Sequence, residues 1–106
     1  MNDTVNKDTQ AAPRYVLRLF VSGATPRSAQ AIGNIRAICD RELAGRYELE
    51  VIDIYQQPEL ARQYQIIAVP VLIKSLPAPI RVLIGDLSET EKVLVGLNLH
   101  PREDES

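Results

Sequence analysis

The residues that could carry chemistry in this chain are few, since it contains one cysteine and one histidine. Tyr15 opens an apolar segment that leads through the turn SGATP, residues 22–26, into a helical pattern. A strand–turn–helix opening of this kind can hold a redox-active dithiol at the N-terminus of the helix, where a thiolate is stabilised. The turn contains no cysteine, so both thiols are missing. The opening therefore favours a binding protein over a redox enzyme.

The remaining reactive side chains do not assemble a catalytic or metal site. Cys39 falls on the apolar stripe of the predicted helix, with no base beside it to favour a thiolate. His100 lies in a polar terminal segment, so a zinc site or a histidine-based triad lacks its other members. Asp53 and Asp86 flank turns, and we expect them to stabilise those turns. With no glycine-rich phosphate loop either, we expect no catalytic, cofactor-binding or metal-binding residues.

Length and charge bound the class of protein. The 106 residues suit one domain, which we expect to span residues 14–99. We expect a disordered tail over residues 1–13 and an acidic tail over residues 100–106. A net charge of -2 offers no basic field for nucleic acid. A single cysteine, no signal sequence and no apolar run of membrane length predict a cytoplasmic protein with no membrane partner.

The first half of the chain has strong local signals. Residues 15–21 are apolar on both faces except at Arg18, which predicts a central strand. Thr25 is a plausible N-cap with Pro26 at the first helical position. The helix would bury the apolar stripe Ala31, Ile32, Ile35, Ile38, Cys39 and Leu43. Residues 47–54 alternate with one exposed face, which predicts a strand near a sheet edge.

The second half has weaker signals. Pro58 opens a predicted short helix, residues 66–73 predict a strand interrupted by Pro70, residues 75–79 a turn, and residues 80–84 a further strand. Ser88 and Glu91 predict a capping box for a last helix. The order β-α-β-α-β-β-α is that of an α/β, thioredoxin-like fold. The mixed helix and strand signals over residues 50–99 mean that tertiary context could decide the structure of this half.

The sequence resembles the KaiB family over about residues 15–99, and its motifs occur in the family's order. The matching segments are YVLRLFVSG at 15–23, TP at 25–26, YELEVID at 47–53, PELA at 58–61, AVP at 68–70, LPAP at 76–79 and IGDLSETEKVLVGL at 84–97. The resemblance departs at a few positions. Glu50 stands where the family usually has lysine, Val69 where it has threonine, and Asn98 where it has aspartate.

The resemblance implies a non-enzymatic regulator that binds a KaiC-like RecA-type ATPase, as in circadian or clock-like timing. It implies two folds for the chain, one thioredoxin-like and one KaiB ground-state fold that differs in the C-terminal half. Further implied partners are a KaiA-like protein, a histidine kinase with a KaiB-like sensor domain, and a second copy in a homo-oligomer, as a dimer or tetramer. A stress or signalling adaptor without a clock role is the alternative, and a thioredoxin-like redox enzyme is disfavoured by the absent dithiol.

The resemblance also implies which residues carry these functions. We expect the partner-binding residues to be Leu49, Glu50, Pro58, Glu59, Leu60, Gln65, Val69, Pro70 and Lys74. We expect the residues that govern the exchange between the two folds to be Pro70, Pro77, Pro79, Gly85, Gly96 and Asn98.

Overall fold

The computed structural model describes residues 13–99, so the expected tails lie largely outside the described part of the chain. It has four strands and three helices in the order predicted from the sequence, and it confirms the α/β thioredoxin-like class. The strands are β1 (Tyr15–Val21), β2 (Tyr47–Asp53), β3 (Val71–Leu76) and β4 (Arg81–Ile84). The helices are α1 (Pro26–Glu42), α2 (Pro58–Gln63) and α3 (Thr90–Gly96).

The strands form one mixed sheet in the order β2-β1-β3-β4. β1 pairs in parallel with β2 and antiparallel with β3, and β3 pairs antiparallel with β4. The two predictions about position are confirmed: the doubly apolar β1 is central, and the alternating β2 is an edge strand. β4 forms the opposite edge.

Each face of the sheet has its own apolar core, and the helices divide between the two faces. On the first face α1 and α3 pack against alternate residues of β1 and β3, such as Leu19 and Leu72. On the second face α2 packs over Phe20, Ile52 and their neighbours in β3. We call these the α1/α3 face and the α2 face. The division follows from the period of two in a strand, which sends successive side chains to opposite sides.

The start of α1 is as the sequence predicts. The Oγ1 of Thr25 accepts a hydrogen bond from the backbone N–H of Ser28 at 3.1 Å, and Pro26 occupies the first turn. The Ser28 side chain is buried, where its Oγ accepts from the Ser22 N–H at 3.2 Å. Five of the six residues of the predicted apolar stripe are buried on the α1/α3 face, and Ile32 is only half-buried there; the five are Ala31, Ile35, Ile38, Cys39 and Leu43.

Two boundaries in the second half differ from the sequence prediction. β3 begins at Val71 and continues to Leu76, whereas the prediction placed the strand over residues 66–73 with a turn from residue 75. Residues 64–70 are needed to cross from the end of α2 to the sheet. The strand then extends because the backbone of Leu76 still pairs with Val16 of β1. The peptide bonds that precede Pro70, Pro77 and Pro79 are cis.

The predicted capping box at α3 is wrong. The helix begins at Thr90 with Glu89 at the N-cap position, and no side chain caps it. Ser88 is unavailable because its backbone N–H donates to Oδ1 of Asp86 at 3.0 Å, which closes an aspartate turn. The Ser88 hydroxyl, with a smaller contribution from this backbone bond, lowers the pKa of Asp86. The assignment of Asp86 to turn chemistry is confirmed.

Candidate partner-binding surface

The turn between β1 and α1, where a redox protein of this fold would carry its dithiol, is held by a hydrogen bond from its backbone to the side chain of Asp53. Oδ1 of Asp53 accepts from the N–H of Gly23 at 3.1 Å and from the N–H of Tyr55 at 2.9 Å. It thereby ties the β1–α1 turn to the β2–α2 loop at one end of the sheet. Gly23 has a φ of 65°, which a residue with a Cβ adopts less readily. This carboxylate stabilises two turns, as expected of a turn-flanking aspartate.

The single thiol, that of Cys39, is not in the reactive thiolate form. Cys39 is fully buried among aliphatic side chains of the α1/α3 face. Burial, with a smaller contribution from the Asp40 carboxylate, raises the pKa of Cys39 to about 12. A thiol with such a pKa is almost wholly protonated at neutral pH, so it is a poor nucleophile. Cys39 is a packing residue, as the sequence pattern indicated.

α2 presents a charged first turn to solvent and an apolar side to the sheet. Pro58 and Glu59 are exposed, and Glu59 pairs with Arg62 on the same helix at 3.2 Å. Leu60 is half-buried and packs on the α2 face. The helix ends at Gln63, and Gln65, which follows the C-cap residue Tyr64, has a φ of 56° that lets Ile66 donate its N–H to Ala61 O at 2.9 Å. Four residues predicted to bind a partner therefore lie on α2 or just after it, three of them exposed and one half-buried: Pro58, Glu59, Gln65 and Leu60.

A polar cluster on the α2 face joins this helix to the edge strand β2. The Nε of Arg18 lies 3.2 Å from the Glu50 carboxylate, and its Nη1 lies 3.4 Å from the Ser75 hydroxyl. The same guanidinium lies over the ring of Tyr64, with its central carbon 5.6 Å from the ring centroid. Glu50 is thus held beside the end of α2. We call Arg18, Glu50, Tyr64 and Ser75 the Arg18 cluster.

Arg18 was not among the residues that the sequence predicted to bind a partner. The available signal was its position as the one charge in an otherwise apolar central strand. Such a charge must find a partner or reach solvent, and Arg18 does both across β2. Glutamate at position 50, where the family usually has lysine, fits this cluster, because a lysine there would place a second positive charge beside Arg18.

Three other predicted partner-binding residues are not on the exposed surface that α2 and the Arg18 cluster form. Leu49 points to the α1/α3 face, where it packs against the core. Pro70 is buried and its carbonyl accepts the Gly85 N–H at 2.9 Å. Lys74 is only 1 % exposed, with its Nζ donating to Pro77 O at 2.7 Å. In this conformation Pro70 and Lys74 hold neighbouring backbone groups through these hydrogen bonds. They are too deeply buried to contact a partner. Val69 is half-buried beside α2.

The residues predicted to govern fold exchange gather around β4 and α3. Gly85 and Asn98 have φ values of 120° and 66°. The carbonyl oxygen of Pro77 accepts a hydrogen bond from the Lys74 ammonium. Gly96 packs against Leu83 of β4 so closely that an added Cβ would lie 3.0 Å from Leu83 Cγ. Pro79 lies in the exposed β3–β4 connection. All of them except Pro70 fall after residue 76, in the half with weak sequence signals.

Asn98 completes the end of α3 as a left-handed cap, which the sequence suggested. Its N–H donates to Val95 O at 2.9 Å, and the N–H of Leu99 donates to Leu94 O at 2.7 Å. This pair of bonds is a Schellman motif, in which the residue after the C-cap is left-handed. The Tyr15 hydroxyl donates to Leu97 O at 3.1 Å, so β1 also holds the end of this helix.

Within residues 13–99 there is no group of three or more side chains suited to hold a metal ion. Nor does any helix in this part of the chain have the length and apolar character needed to cross a membrane.

Comparison with known proteins finds one family and close relatives that match most of the chain. A family model described as the KaiB domain matches residues 18–99. The circadian clock protein KaiB3 of Synechocystis sp. is 49% identical over 88 residues, which cover 83% of this chain and 86% of that protein. The circadian clock oscillator protein KaiB of Prochlorococcus marinus is 49% identical over 89 residues, covering 84% and 85%.

Solved structures show the same fold. The N-terminal domain of SasA from Synechococcus elongatus superposes with a TM-score of 0.66 at 26% identity, covering 82% of this chain and 86% of that one. The germline thioredoxin Deadhead of Drosophila melanogaster reaches a TM-score of 0.66 at 14% identity, covering 94% of both chains. The thioredoxin likeness concerns the fold alone, since the chain has no dithiol.

Proposed function

The chain belongs to the KaiB family, and from this premise we propose that it is a non-enzymatic regulator that binds a KaiC-like RecA-type ATPase. Binding modulates the activity or phosphorylation state of that ATPase, as in clock-like timing. The observation that carries the proposal is family membership at 49% identity to circadian clock proteins. The protein acts in the cytoplasm, which its single cysteine suits.

The contact surface is the exposed side of α2 together with the Arg18 cluster. Glu59 and Arg62 offer both charges on the solvent side of the helix, and Glu50 extends the charged area across β2. Charged groups of this kind set register and association rate more than affinity, which comes from the apolar residues they surround. Leu60 and Val69 are half-buried on the α2 face, and their exposed parts supply apolar area next to these charges.

The described fold is the one that binds, and the ATPase captures it from an equilibrium with the KaiB ground-state fold. Pro70, Pro77, Pro79, Gly85, Gly96 and Asn98 govern that equilibrium. A ligand that binds one of two folds shifts the population by its difference in affinity for them. The SasA-like architecture supports a shared contact mode, so a histidine kinase with such a sensor domain competes for the same site. A KaiA-like protein is a further partner.

The test is binding to a purified KaiC-like ATPase ring, measured by biolayer interferometry together with the ring's ATPase rate. Glu59→Lys reverses one charge in the first turn of α2, and we expect it to weaken binding about tenfold, within the range for a charge at an interface. Glu91→Lys is the matched control, because it makes the same change in the first turn of α3. Both helices lose an acidic residue from their first turn, so the cost through the helix dipole cancels.

If Glu59→Lys and Glu91→Lys weaken binding equally, α2 is not part of the surface that contacts the ATPase. No binding by the wild type to any KaiC-like ring would contradict the proposal and favour the alternative, an adaptor without a clock role. Capture of a histidine kinase sensor segment in place of the ring would give that adaptor a partner.

A further inference from the structure

Positive charge without a matching carboxylate gathers at one end of the sheet. Among residues 13–99, most arginine and lysine side chains form an ion pair with an aspartate or glutamate. The four that have no such partner within this part of the chain are Arg36, Arg46, Lys74 and Arg81. All but Arg36 lie around Tyr15, where β1 and β4 begin and β3 ends. We call Arg46, Lys74 and Arg81 the Tyr15 cations.

The contacts of each cation place it at this end of the molecule. The N–H of Tyr15 donates to Arg46 O at 2.8 Å, and the Arg46 guanidinium donates to two backbone carbonyl oxygens. The Nζ of Lys74 lies 6.0 Å from the centroid of the Tyr15 ring. Arg81 is opposite Lys74 in the register of β3 and β4, so both side chains project to the α1/α3 face. Carbonyl oxygens and a ring satisfy donors, but they supply no negative charge.

The Tyr15 cations differ in what can reach them. Lys74 is only 1 % exposed, whereas Arg46 is half-buried and Arg81 is exposed. A carboxylate from outside can therefore contact Arg81 and Arg46 directly. Lys74 would be stabilised at longer range, because its charge is screened less by water than that of an exposed group.

The end of the described chain arrives at the same place. The Tyr15 hydroxyl donates to Leu97 O at 3.1 Å, and Leu99 packs against the core of the α1/α3 face. The sequence continues with HPREDES over residues 100–106, so three consecutive acidic residues begin at Glu103. Four extended residues span up to roughly 13 Å, which is the reach from Leu99 to Glu103. Since Tyr15 alone bridges the helix end and the Lys74 ammonium, this reach is sufficient.

The N-terminal segment is a weaker candidate, although it also leads to Tyr15. Residues 1–12 contain two acidic side chains, Asp3 and Asp8, which are well apart along the chain, and Lys7 is next to Asp8. Residues 103–105 place three carboxylates in consecutive positions. Isolated surface ion pairs contribute little, whereas several charges in a network contribute more. Charge complementarity thus favours the C-terminal segment.

We propose that residues 100–106 dock on the Tyr15 cations as an intramolecular strap, with the carboxylates of residues 103–105 against Arg46 and Arg81. The strap joins the end of α3 to the beginnings of β1 and β4, so it stabilises the described fold. Because the contact is electrostatic and partly exposed, salt weakens it. The inference does not rest on binding of the ATPase, whose proposed contact is on α2 and the opposite face of the sheet.

A spin label tests where the segment lies. In a Cys39→Ala background, the Ser106→Cys variant carries a nitroxide, and NMR records the broadening of each backbone amide. Tethering alone brings the label near this end, so the informative part is the broadening that salt removes. We expect the Arg81 and Tyr15 amides to recover in 1 M NaCl, where the Debye length is about 3 Å. Glu103→Gln/Glu105→Gln in the labelled chain should restore the same amides at low salt.

Urea unfolding of the full chain tests what the contact does. Glu103→Gln/Glu105→Gln should lower the urea midpoint at low salt and leave it unchanged in 1 M NaCl. Arg81→Gln should act in the same way, and the combined variant should lose less than the two changes added, because both remove one contact. Asp3→Asn/Asp8→Asn is the matched control, since it removes the same charge from the other end segment. It should leave the midpoint unchanged.

Several outcomes would overturn the strap. Broadening at Arg81 and Tyr15 that neither salt nor Glu103→Gln/Glu105→Gln reduces would show no electrostatic contact. Additive losses from Arg81→Gln and the C-terminal substitutions would assign them to separate contacts. An effect of Asp3→Asn/Asp8→Asn equal to that of the C-terminal pair would attribute both to net charge, and a larger one would assign the Tyr15 cations to residues 1–12.

Discussion

At the residue scale, Cys39 shows how burial determines the chemistry of a side chain. Its thiol is fully buried and its pKa is raised to about 12. We predict that the native protein reacts with an aromatic disulfide reagent at pH 8 only as fast as it unfolds, and that it does not reduce insulin. Cys39→Ala should preserve ring binding while costing about 1 kcal/mol of stability, the scale of a small core truncation.

The measurement follows the released chromophore with and without denaturant. Fast stoichiometric release from the native protein would contradict the prediction. Loss of ring binding in a folded Cys39→Ala variant would give the thiol a role that its burial does not explain.

Lys74 gives a prediction about pH. Burial, with a smaller contribution from the Arg81 charge, lowers its pKa below 10.5 in the folded protein. Between the folded pKa and 10.5 the unfolded chain therefore binds more protons at this position, so the contribution of Lys74 to stability rises with pH. The unfolding free energy of the wild type minus that of Lys74→Met should therefore rise as the pH increases across this interval. Below it, the difference should be constant.

Chemical denaturation at several pH values measures that difference. Comparing two proteins removes the titrating groups that do not contact Lys74. A difference that falls as the pH rises would mean that Lys74 is not desolvated in the folded protein.

At the element scale, two helical glycines make opposite predictions. Alanine is better than glycine in a helix by about 1 kcal/mol. A Cβ at Gly33 of α1 meets nothing within 4 Å, so Gly33→Ala should stabilise the protein by up to about that amount. At Gly96 of α3 the Cβ would lie 2.9 Å from Leu83 Cδ1 and closer still to Cδ2. Overpacking costs roughly 1–3 kcal/mol, so Gly96→Ala should destabilise this fold.

Thermal and urea unfolding of both variants would check the signs. Leu83→Ala should reduce the cost of Gly96→Ala in a double-mutant cycle, because it removes the atoms that the new Cβ meets. Equal stabilisation by the two alanines would show that Leu83 moves aside at no cost.

The cap of α3 gives a second prediction at this scale. Asn98 is left-handed with a φ of 66° and follows the C-terminus of the helix. Asn98→Asp would place a negative charge at the negative end of the helix dipole, at a cost of roughly 0.3–1 kcal/mol. Asn98→Gly keeps the left-handed geometry without the charge and should not be destabilising. Unfolding measured at pH 7 and again near pH 3 separates the two effects, since the cost of aspartate should shrink when it is protonated.

At the scale of the whole molecule, the sequence predicted the order of the elements and the central place of β1 because these depend on local signals. Period-two and helical spacing identify β1 and α1 without knowledge of their neighbours. The start of β3 was not predictable, because residues 66–70 are as apolar as a strand and only the crossing from α2 leaves them outside the sheet. The capping box failed for a similar reason, since Asp86 takes the amide of Ser88.

The candidate site was predicted in part. Its α2 residues are contiguous in sequence and were identified together. Arg18 was missed because its contacts to Glu50, Tyr64 and Ser75 cross three elements. Lys74 was misplaced on the exposed surface because a lysine is seldom buried, and here a backbone carbonyl and the Tyr15 ring satisfy its ammonium.

The proposed exchange of folds couples the stability of this fold to binding of the ATPase ring. When only a fraction of the molecules has the binding-competent fold, the apparent dissociation constant is the intrinsic one divided by that fraction. Gly96→Ala opposes the described fold through Leu83, so it should lower that fraction. A change of about 1.4 kcal/mol would weaken ring binding tenfold without touching the proposed α2 surface.

Gly33→Ala is the control for this coupling. It lies in the N-terminal half, which the family resemblance implies is common to both folds, so it should stabilise both and leave their ratio and ring binding unchanged. The measurement is NMR, which counts the two sets of resonances, beside ring binding of the same samples. Weakening of binding by Gly96→Ala in proportion to the lost resonances would establish capture of this fold. Weakened binding with unchanged populations would instead place Gly96 in the contact surface, and the exchange mechanism would not hold for this chain.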